Sequence, residues 1–272
     1  MWDRLNPESV VNTSLLLMVL LGILFAYSFF IEPGMVVVKE VQINGTGVHM
    51  KVVFLSDFQR MSTDPEFMQQ VVELTERENP DIILLGGDYI ETSESELPSA
   101  APLKTLHARY GVYGVMGNHD YGMITGREFP PNDLMASGIR AFLEDSGIRI
   151  LSNEHVQIGN VTIIGLDDLW AGERDEAAAL SGNISGYRIL LSHNQYGLPI
   201  TKSDADLYLF GHTHCGQIRL PGLGSVPKLF GFRGEYEMGY YKVNGSDVYT
   251  TCGLAGGPRF LAPPEVTVIE LN

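Results

Sequence analysis

Short apolar runs in this chain end, one after another, in polar clusters of Asp, Asn, His or Gln, and that pattern limits the available folds more than any other feature. The clusters are Ser56-Asp57-Phe58-Gln59, Gly87-Asp88-Tyr89, Gly117-Asn118-His119-Asp120, Ser192-His193-Asn194 and Gly211-His212-Thr213-His214. Brief apolar runs bounded by turn residues read as strands buried on both faces. Helix signals lie between the early ones. Asp64-Pro65-Glu66 offers an N-cap, a proline at the first helical position and an acid in the first turn. The first half therefore reads β-β-α-β-α-β, with strands at 35–43, 49–55, 81–85 and 111–116 and helices at 64–78 and 97–109. A helix follows at 131–146. Short strands then dominate, at 161–164, 187–191, 207–210, 240–243, 248–251 and 266–271, with the glycine-rich stretch 222–234 as a loop. The expected class is α/β.

Residues 9–31 carry no charged side chain. At the helical rise a run of this length crosses roughly 30 Å of hydrocarbon. A buried core helix keeps a polar face, and this segment has none. A cleaved signal peptide is the stronger rival, with Ala26 and Ser28 as small residues for cleavage. The run is longer than a usual signal core, however, and Arg4 is diluted by Asp3 and Glu8. The expectation is an uncleaved single-pass anchor at the cell membrane over residues 1–33, with one domain over 34–272. Arg4 precedes the span and Lys39 and Lys51 follow it, so the positive-inside rule barely discriminates. An early span with a short leading tail leans toward an extracytoplasmic domain.

The formal net charge of -15 repels nucleic acid, whose binding rests on phosphate neutralisation, so no nucleic-acid partner is expected. Any phosphate handled here meets its positive charge in bound cations, with at most a few arginines. Cys215 and Cys252 fit no zinc ribbon and are expected as two separate thiols, a single disulfide being the alternative.

In open α/β sheets ligands bind beyond the carboxyl ends of strands, so the polar clusters converge there. Asp57 and Asp88 supply hard oxygens, Asn118 a carbonyl oxygen, and His193, His212 and His214 imidazole nitrogens. Mixed oxygen and nitrogen donors suit Mn, Fe or Zn better than Ca. A carboxylate can bridge two ions about 3.5–4 Å apart, the spacing of two-metal hydrolysis. Each cluster alone reads as a cap, a turn or packing. Together, in order and each after a strand, they read as a metal site.

These motifs resemble the calcineurin-like metallophosphoesterases over about residues 48–271, in the order Gly87-Asp88, Gly117-Asn118-His119-Asp120, His193 and Gly211-His212-Thr213-His214. Further stretches are similar to a membrane-attached bacterial branch that includes phosphodiesterases and UDP-diacylglucosamine pyrophosphatase-like enzymes. They are Gly165-Leu166-Asp167-Asp168-Leu169-Trp170-Ala171-Gly172, His214-Cys215-Gly216-Gln217-Ile218-Arg219-Leu220-Pro221 and Pro263-Pro264-Glu265. The resemblance implies a layered sandwich of two mixed β-sheets flanked by helices, and two divalent metal ions. Asp57 and His214 would hold one ion, Asn118, His193 and His212 the other, and Asp88 would bridge them. His119 would face the leaving group, with Asp120 nearby to orient or polarise it. The first motif departs from the family's Asp-x-His: Gln59 stands where the imidazole is usual, a weaker ligand if it reaches the metal. Cys215 replaces a usual glycine and is expected as a small filler.

Arg60, Arg219, Arg233 and Arg259 are candidates for phosphate oxygens, Arg259 first because it follows the loop Gly256-Gly257-Pro258. Trp170 is a candidate for lining the pocket, although an aromatic after a strand is more often core. The resulting expectation is hydrolysis of a phosphodiester or pyrophosphate bond in a membrane-associated lipid or glycolipid-nucleotide substrate. The lipid bilayer and the phosphate ester are the expected partners. The alternative is a catalytically weak or inactive metal-binding scaffold on the same fold, motivated by Gln59.

Overall fold

The structure, a computed structural model, describes residues 7–59, 64–124, 130–231 and 234–272. Helix α1 (Pro7–Ala26) runs into a wider π-helical turn, Tyr27–Ile31, and a 3-10 turn, Glu32–Gly34. Residues 11–34 form a stretch apolar and long enough to cross a membrane, and its first part, to Ala26, is exposed. Leu16, Met18 and Ile23 point away from the protein because nothing packs around them. The last turns differ. Ser28 and Glu32 are buried against the body of the protein. Arg259 N–H donates to the Ser28 carbonyl at 2.8 Å, and Ala262 N–H to Glu32 Oε1 at 2.7 Å.

After this exit come β1 (Val37–Ile43), β2 (Met50–Leu55), α2 (Pro65–Arg77), β3 (Ile82–Leu85), β4 (Val112–Gly114), α3 (Asp133–Asp145) and β5 (Ile148–Ile150). Then follow β6 (Glu154–Ile158), β7 (Val161–Gly165), α4 (Glu176–Ala179), β8 (Tyr187–Ser192) and β9 (Leu207–Phe210). A small hairpin, β10 (Arg219–Leu220) and β11 (Gly224–Ser225), leads to α5 (Val226–Leu229), and β12 (Gly239–Val243), β13 (Ser246–Thr250) and β14 (Glu265–Leu271) complete the chain. The Asp64 carboxylate caps α2 by accepting from Phe67 N–H at 3.0 Å. Asn132 does the same for α3 through Met135 N–H at 3.1 Å.

Two mixed six-stranded sheets face each other, in the orders β1-β14-β2-β3-β4-β5 and β12-β13-β9-β8-β7-β6. Strand alternation divides the core. Val52, Phe54, Ile82 and Leu84 point between the sheets, onto Ile163, Ile189, Leu191 and Leu209. Val53, Leu55, Ile83 and Leu85 point outward, under Phe67, Met68 and Val71 of α2 and Ile139 and Leu143 of α3. Both faces are therefore apolar, which is why these strands read as continuous runs. Strands β2, β3 and β4 run parallel, as do β7, β8, β9 and β13. Their carboxyl ends open onto one edge of the sandwich.

Two local expectations need correction. Residues 97–109 do not form an α-helix. A 3-10 stretch spans Glu94–Thr105 and stops there, because Pro98 and Pro102 lack the amide hydrogens an α-helix requires. The stretch 222–234 is not wholly loop, since β11 and α5 occupy part of it.

Candidate metal centre

Three of the strand-end clusters turn through left-handed backbone. Asp57 and Asp88 both sit at φ 59°, and His212 and His214 at 66° and 48°. Such left-handed backbone costs an L-residue of order 1–2 kcal/mol and persists where surrounding bonds hold it. They do so here: Asp57 N–H donates to the Gly87 carbonyl at 3.0 Å and Phe58 N–H to the Asp88 carbonyl at 2.7 Å. Two glycines make the room. A Cβ on Gly117 would lie 2.2 Å from Asp88 Oδ1, and one on Gly253 2.4 Å from Asp57 Oδ2.

Asp88, His193 and His212 form one group of potential ligands, and Asp57, Asp88 and His214 another, so Asp88 is common to both. Within the first, His193 Nε2 lies 3.1 Å from Asp88 Oδ2, 3.2 Å from Asn118 Oδ1 and 3.2 Å from His212 Nδ1. The other nitrogen, His193 Nδ1, is 2.8 Å from the Gly86 carbonyl and therefore carries the proton, which leaves Nε2 a lone pair. Asn118 Nδ2 donates to the Met123 carbonyl at 2.5 Å, which turns its oxygen toward His193. Lone pairs thus converge on one point. In the second group His214 Nε2 is 3.2 Å from Asp57 Oδ1, while Asp57 Oδ2 is buried with no hydrogen-bond partner. Orphaned oxygens and facing lone pairs in a buried site fit divalent cations.

The electrostatics agree. Burial opposes charge on His193, but the Asp88 carboxylate outweighs it and raises the imidazole to about 10. Burial, then the neighbouring His193, drops His212 to about 3. Burial pushes Asp57 up, yet His214 holds it below its ordinary value. The carboxylates demand positive charge at this point, and cations supply it in place of protons.

Every expected metal-site residue is in this neighbourhood. Gln59 reaches it, its Nε2 donating to Asp88 Oδ2 at 2.7 Å. His119 N–H donates to Asp88 Oδ1 at 2.9 Å, and its Nδ1 lies 2.6 Å from the Glu91 carbonyl. A cleft of about 580 Å³ opens beside Gln59, His119 and His214. Of the two places weighed for Trp170, the core and the pocket wall, the structure gives the second: it stands edge-on to the His212 ring at 4.4 Å and stacks with Tyr196 at 5.9 Å. Glu91 and Tyr196 carried no sequence signal, since a backbone carbonyl and an aromatic wall leave no spacing to read.

Three expectations fail. Asp120 does not bond the His119 ring. Its carboxylate accepts from the amides of Gly117, Asp88 and Tyr89 at 2.8, 2.9 and 2.7 Å, fastening two ligand loops together. Arg259 does not face a substrate. It is fully buried, and its guanidinium donates to the carbonyls of Ala255, Cys252 and Ala262. Arg219 is engaged by Glu237 at 3.0 Å and the Cys215 carbonyl at 2.8 Å. Arg60 and Arg233 lie outside the described residues. Among the described residues, the cleft is lined by no arginine. The cysteine expectation is also corrected: Cys215 and Cys252 form a disulfide. They follow β9 and β13, which are parallel neighbours, so their loops end 4.7 Å apart at the Cα atoms despite 37 residues of separation. Cys215 is thus a staple rather than a filler.

A two-sheet α/β sandwich with acids and imidazoles gathered at one strand edge defines a metal-dependent hydrolase. Residues 50–216 match the calcineurin-like phosphoesterase family, and the chain belongs to that family, whose members hydrolyse phosphate esters with divalent metals. It is 29% identical over 260 residues to phosphodiesterase YaeI of Escherichia coli, covering 91% of this chain and 92% of that protein. A metallophosphoesterase of Helicobacter pylori is 31% identical over 236 residues, 82% of this chain. A zebrafish transmembrane protein with a metallophosphoesterase domain is 30% identical over 189 residues, 62% of this chain. The chain spans 60% and 41% of these two relatives.

Proposed function

We propose that the chain hydrolyses a phosphodiester or pyrophosphate bond in a membrane-associated lipid or glycolipid-nucleotide substrate. In this reading residues 1–33 anchor a domain over residues 34–272. The observation that carries the metal chemistry is the convergence of His193 Nε2, Asp88 Oδ2, Asn118 Oδ1 and His212 Nδ1. Asn118, His193 and His212 would hold one ion, Asp57 and His214 the other, with Gln59 at its margin, and Asp88 would touch both. Two ions of Mn, Fe or Zn would supply Lewis-acid charge to the phosphoryl oxygens.

The remaining work falls to the chain itself. Asp120 fixes the amides of Gly117, Asp88 and Tyr89, and so sets the spacing of Asp88 and Asn118. His119 lines the cleft with Nδ1 held by the Glu91 carbonyl, so its Nε2 is the atom to protonate a departing oxygen. Trp170 and Tyr196 wall the His212 side against water.

The disulfide supports an orientation. Such bonds persist in oxidising compartments, which supports a domain on the extracytoplasmic side of the membrane. Maleimide labelling of the full chain from cells should occur only after reduction. Labelling without reduction removes this support.

The catalytic reading is tested with the full chain in lipid nanodiscs, on a soluble chromogenic diester and on a phospholipid diester. Turnover lost on chelation and restored by Mn2+ is expected on both, faster on the lipid. Metal-dependent turnover of the soluble diester alone would discard the lipid part.

A further inference from the structure

The cleft beside the metal centre is not made by the catalytic domain alone. Phe29 and Pro33, from the end of the apolar span, line it together with Gln59, His119 and His214. The loop that forms another part of its wall, Ala255 to Pro258, is continuous with the segment on which the span is docked. Arg259 N–H holds Ser28, Ala262 N–H holds Glu32, and the Tyr27 ring meets Phe260 edge-on at 6.2 Å. The span's end is therefore fixed relative to the ligands, not tethered loosely beside them.

The helix changes winding where this happens. The π-helical turn Tyr27–Ile31 is wider than the α-helix before it, and such turns re-aim side chains. Phe25 stacks on Phe29 at 4.2 Å, so an aromatic strip runs from the apolar part of the helix to the mouth of the cleft. The apolar end of the strip belongs where acyl chains are, and its other end adjoins the groups that would bind phosphate.

We propose that the membrane span forms half of the substrate site: the acyl chain of a lipid phosphate ester lies along Phe25, Phe29 and Pro33 while its phosphate sits at Gln59, His119 and His214. This rests on the phosphoesterase reading above and adds the path of the substrate, which enters sideways from the adjoining leaflet. Phe29 is then a specificity-determining residue, and a chain beginning at residue 34 has lost part of its site rather than only its tether.

The test uses the full chain in phosphatidylcholine nanodiscs loaded with Mn2+, titrated calorimetrically with methyl-, butyl- and hexylphosphonate, short enough to stay in water. Empty nanodiscs supply the blank. If each methylene gains even half its transfer free energy, affinity rises about twofold per methylene, roughly 30-fold from methyl to hexyl. Phe29→Ala should compress that ratio to within about fivefold, and Phe29→Leu should keep most of it. Leu134→Ala, an exposed change on α3, should leave it at the wild-type value.

Equal affinity for the three phosphonates, or the same ratio in wild type and Phe29→Ala, overturns the proposal. Turnover of a soluble diester by the same samples separates it from the catalytic reading. Turnover without chain-length dependence sinks this inference alone. Graded binding without turnover sinks the enzyme reading and leaves the site. No phosphonate binding together with no turnover overturns both, and no binding with turnover retained overturns this inference alone.

Discussion

His193 Nε2 and Asp88 Oδ2 lie 3.1 Å apart, both fully enclosed, with the only proton of the neutral ring held on the far nitrogen by the Gly86 carbonyl. An unprotonated nitrogen and a carboxylate oxygen repel at this distance, so a proton or a metal cation must stand with them, and Asp88 raises the His193 imidazole for the same reason that it would favour a metal. Asp88 is also the residue common to both ligand groups. Asp88→Asn should therefore reduce bound metal from about two equivalents to below one and turnover by more than about 100-fold, beyond the loss seen for supporting partners. Plasma mass spectrometry of the desalted proteins checks the first, and two equivalents retained in the variant would show that neither ion depends on Asp88.

Gly117 lies against that same carboxylate, with 2.2 Å available to a Cβ. Gly117→Ala must displace Asp88 or its own loop. Overpacking of this kind costs about 1–3 kcal/mol, which in a chain of this size lowers Tm by about 2–12 °C. Scanning calorimetry with and without Mn2+ should show the larger deficit in the loaded protein, because the displaced group is a ligand.

Arg259 separates two roles. Because it is a buried clasp for the Ala255, Cys252 and Ala262 carbonyls, its change to Met should cost about 1–3 kcal/mol for a carbonyl left unsatisfied, and more where several are. A lower urea midpoint with a preserved KM is the expected pair of results. A raised KM at wild-type stability would return Arg259 to the substrate-binding group.

The Cys215–Cys252 bond joins the loop carrying His214 to the loop that packs Gly253 on Asp57. Reduction should destabilise the domain by about 2–4 kcal/mol, or roughly 5–15 °C in Tm. Thermal scans with and without a phosphine reductant measure it, and the double change to serine should match the reduced wild type.

Asp206 gives a pH dependence away from the metal centre. Burial pushes its carboxyl up, but Lys202 at 2.7 Å and the Arg188 amide at 2.8 Å outweigh this and hold it below the usual value. Its folded pKa is thus lower than its unfolded one near 3.9, so its contribution is complete above about pH 4 and fades as pH falls through the folded value. The Tm gap between wild type and Asp206→Asn should be wide at pH 6 and narrow by pH 3. A gap independent of pH would place the effect in packing instead.

Much of this protein was written locally. The clusters around Asp57, Asp88, Asn118, His193 and His212 mark strand ends, because a strand buried on both faces is apolar until the edge where it can turn polar. The apolar helix over residues 9–31 is legible because no charged side chain interrupts it. Even the helix start at Asp64 was local, since a cap and its amide are three residues apart. Tertiary structure alone decided what depends on distance across the fold. Arg259 and Arg219 look like phosphate ligands in sequence, but only packing reveals that carbonyls and Glu237 already hold them. Asp120 beside His119 looks like its partner, yet the turn sends its oxygens to the Asp88 and Gly117 amides. Cys215 and Cys252 pair because β9 and β13 are neighbours in a sheet, a fact that 37 intervening residues conceal. The placement of Phe29 in the cleft belongs to the same group: hydropathy fixes that the segment is apolar, and only the docking of Ser28 and Glu32 onto the loop around Arg259 and Ala262 decides what its last turn faces.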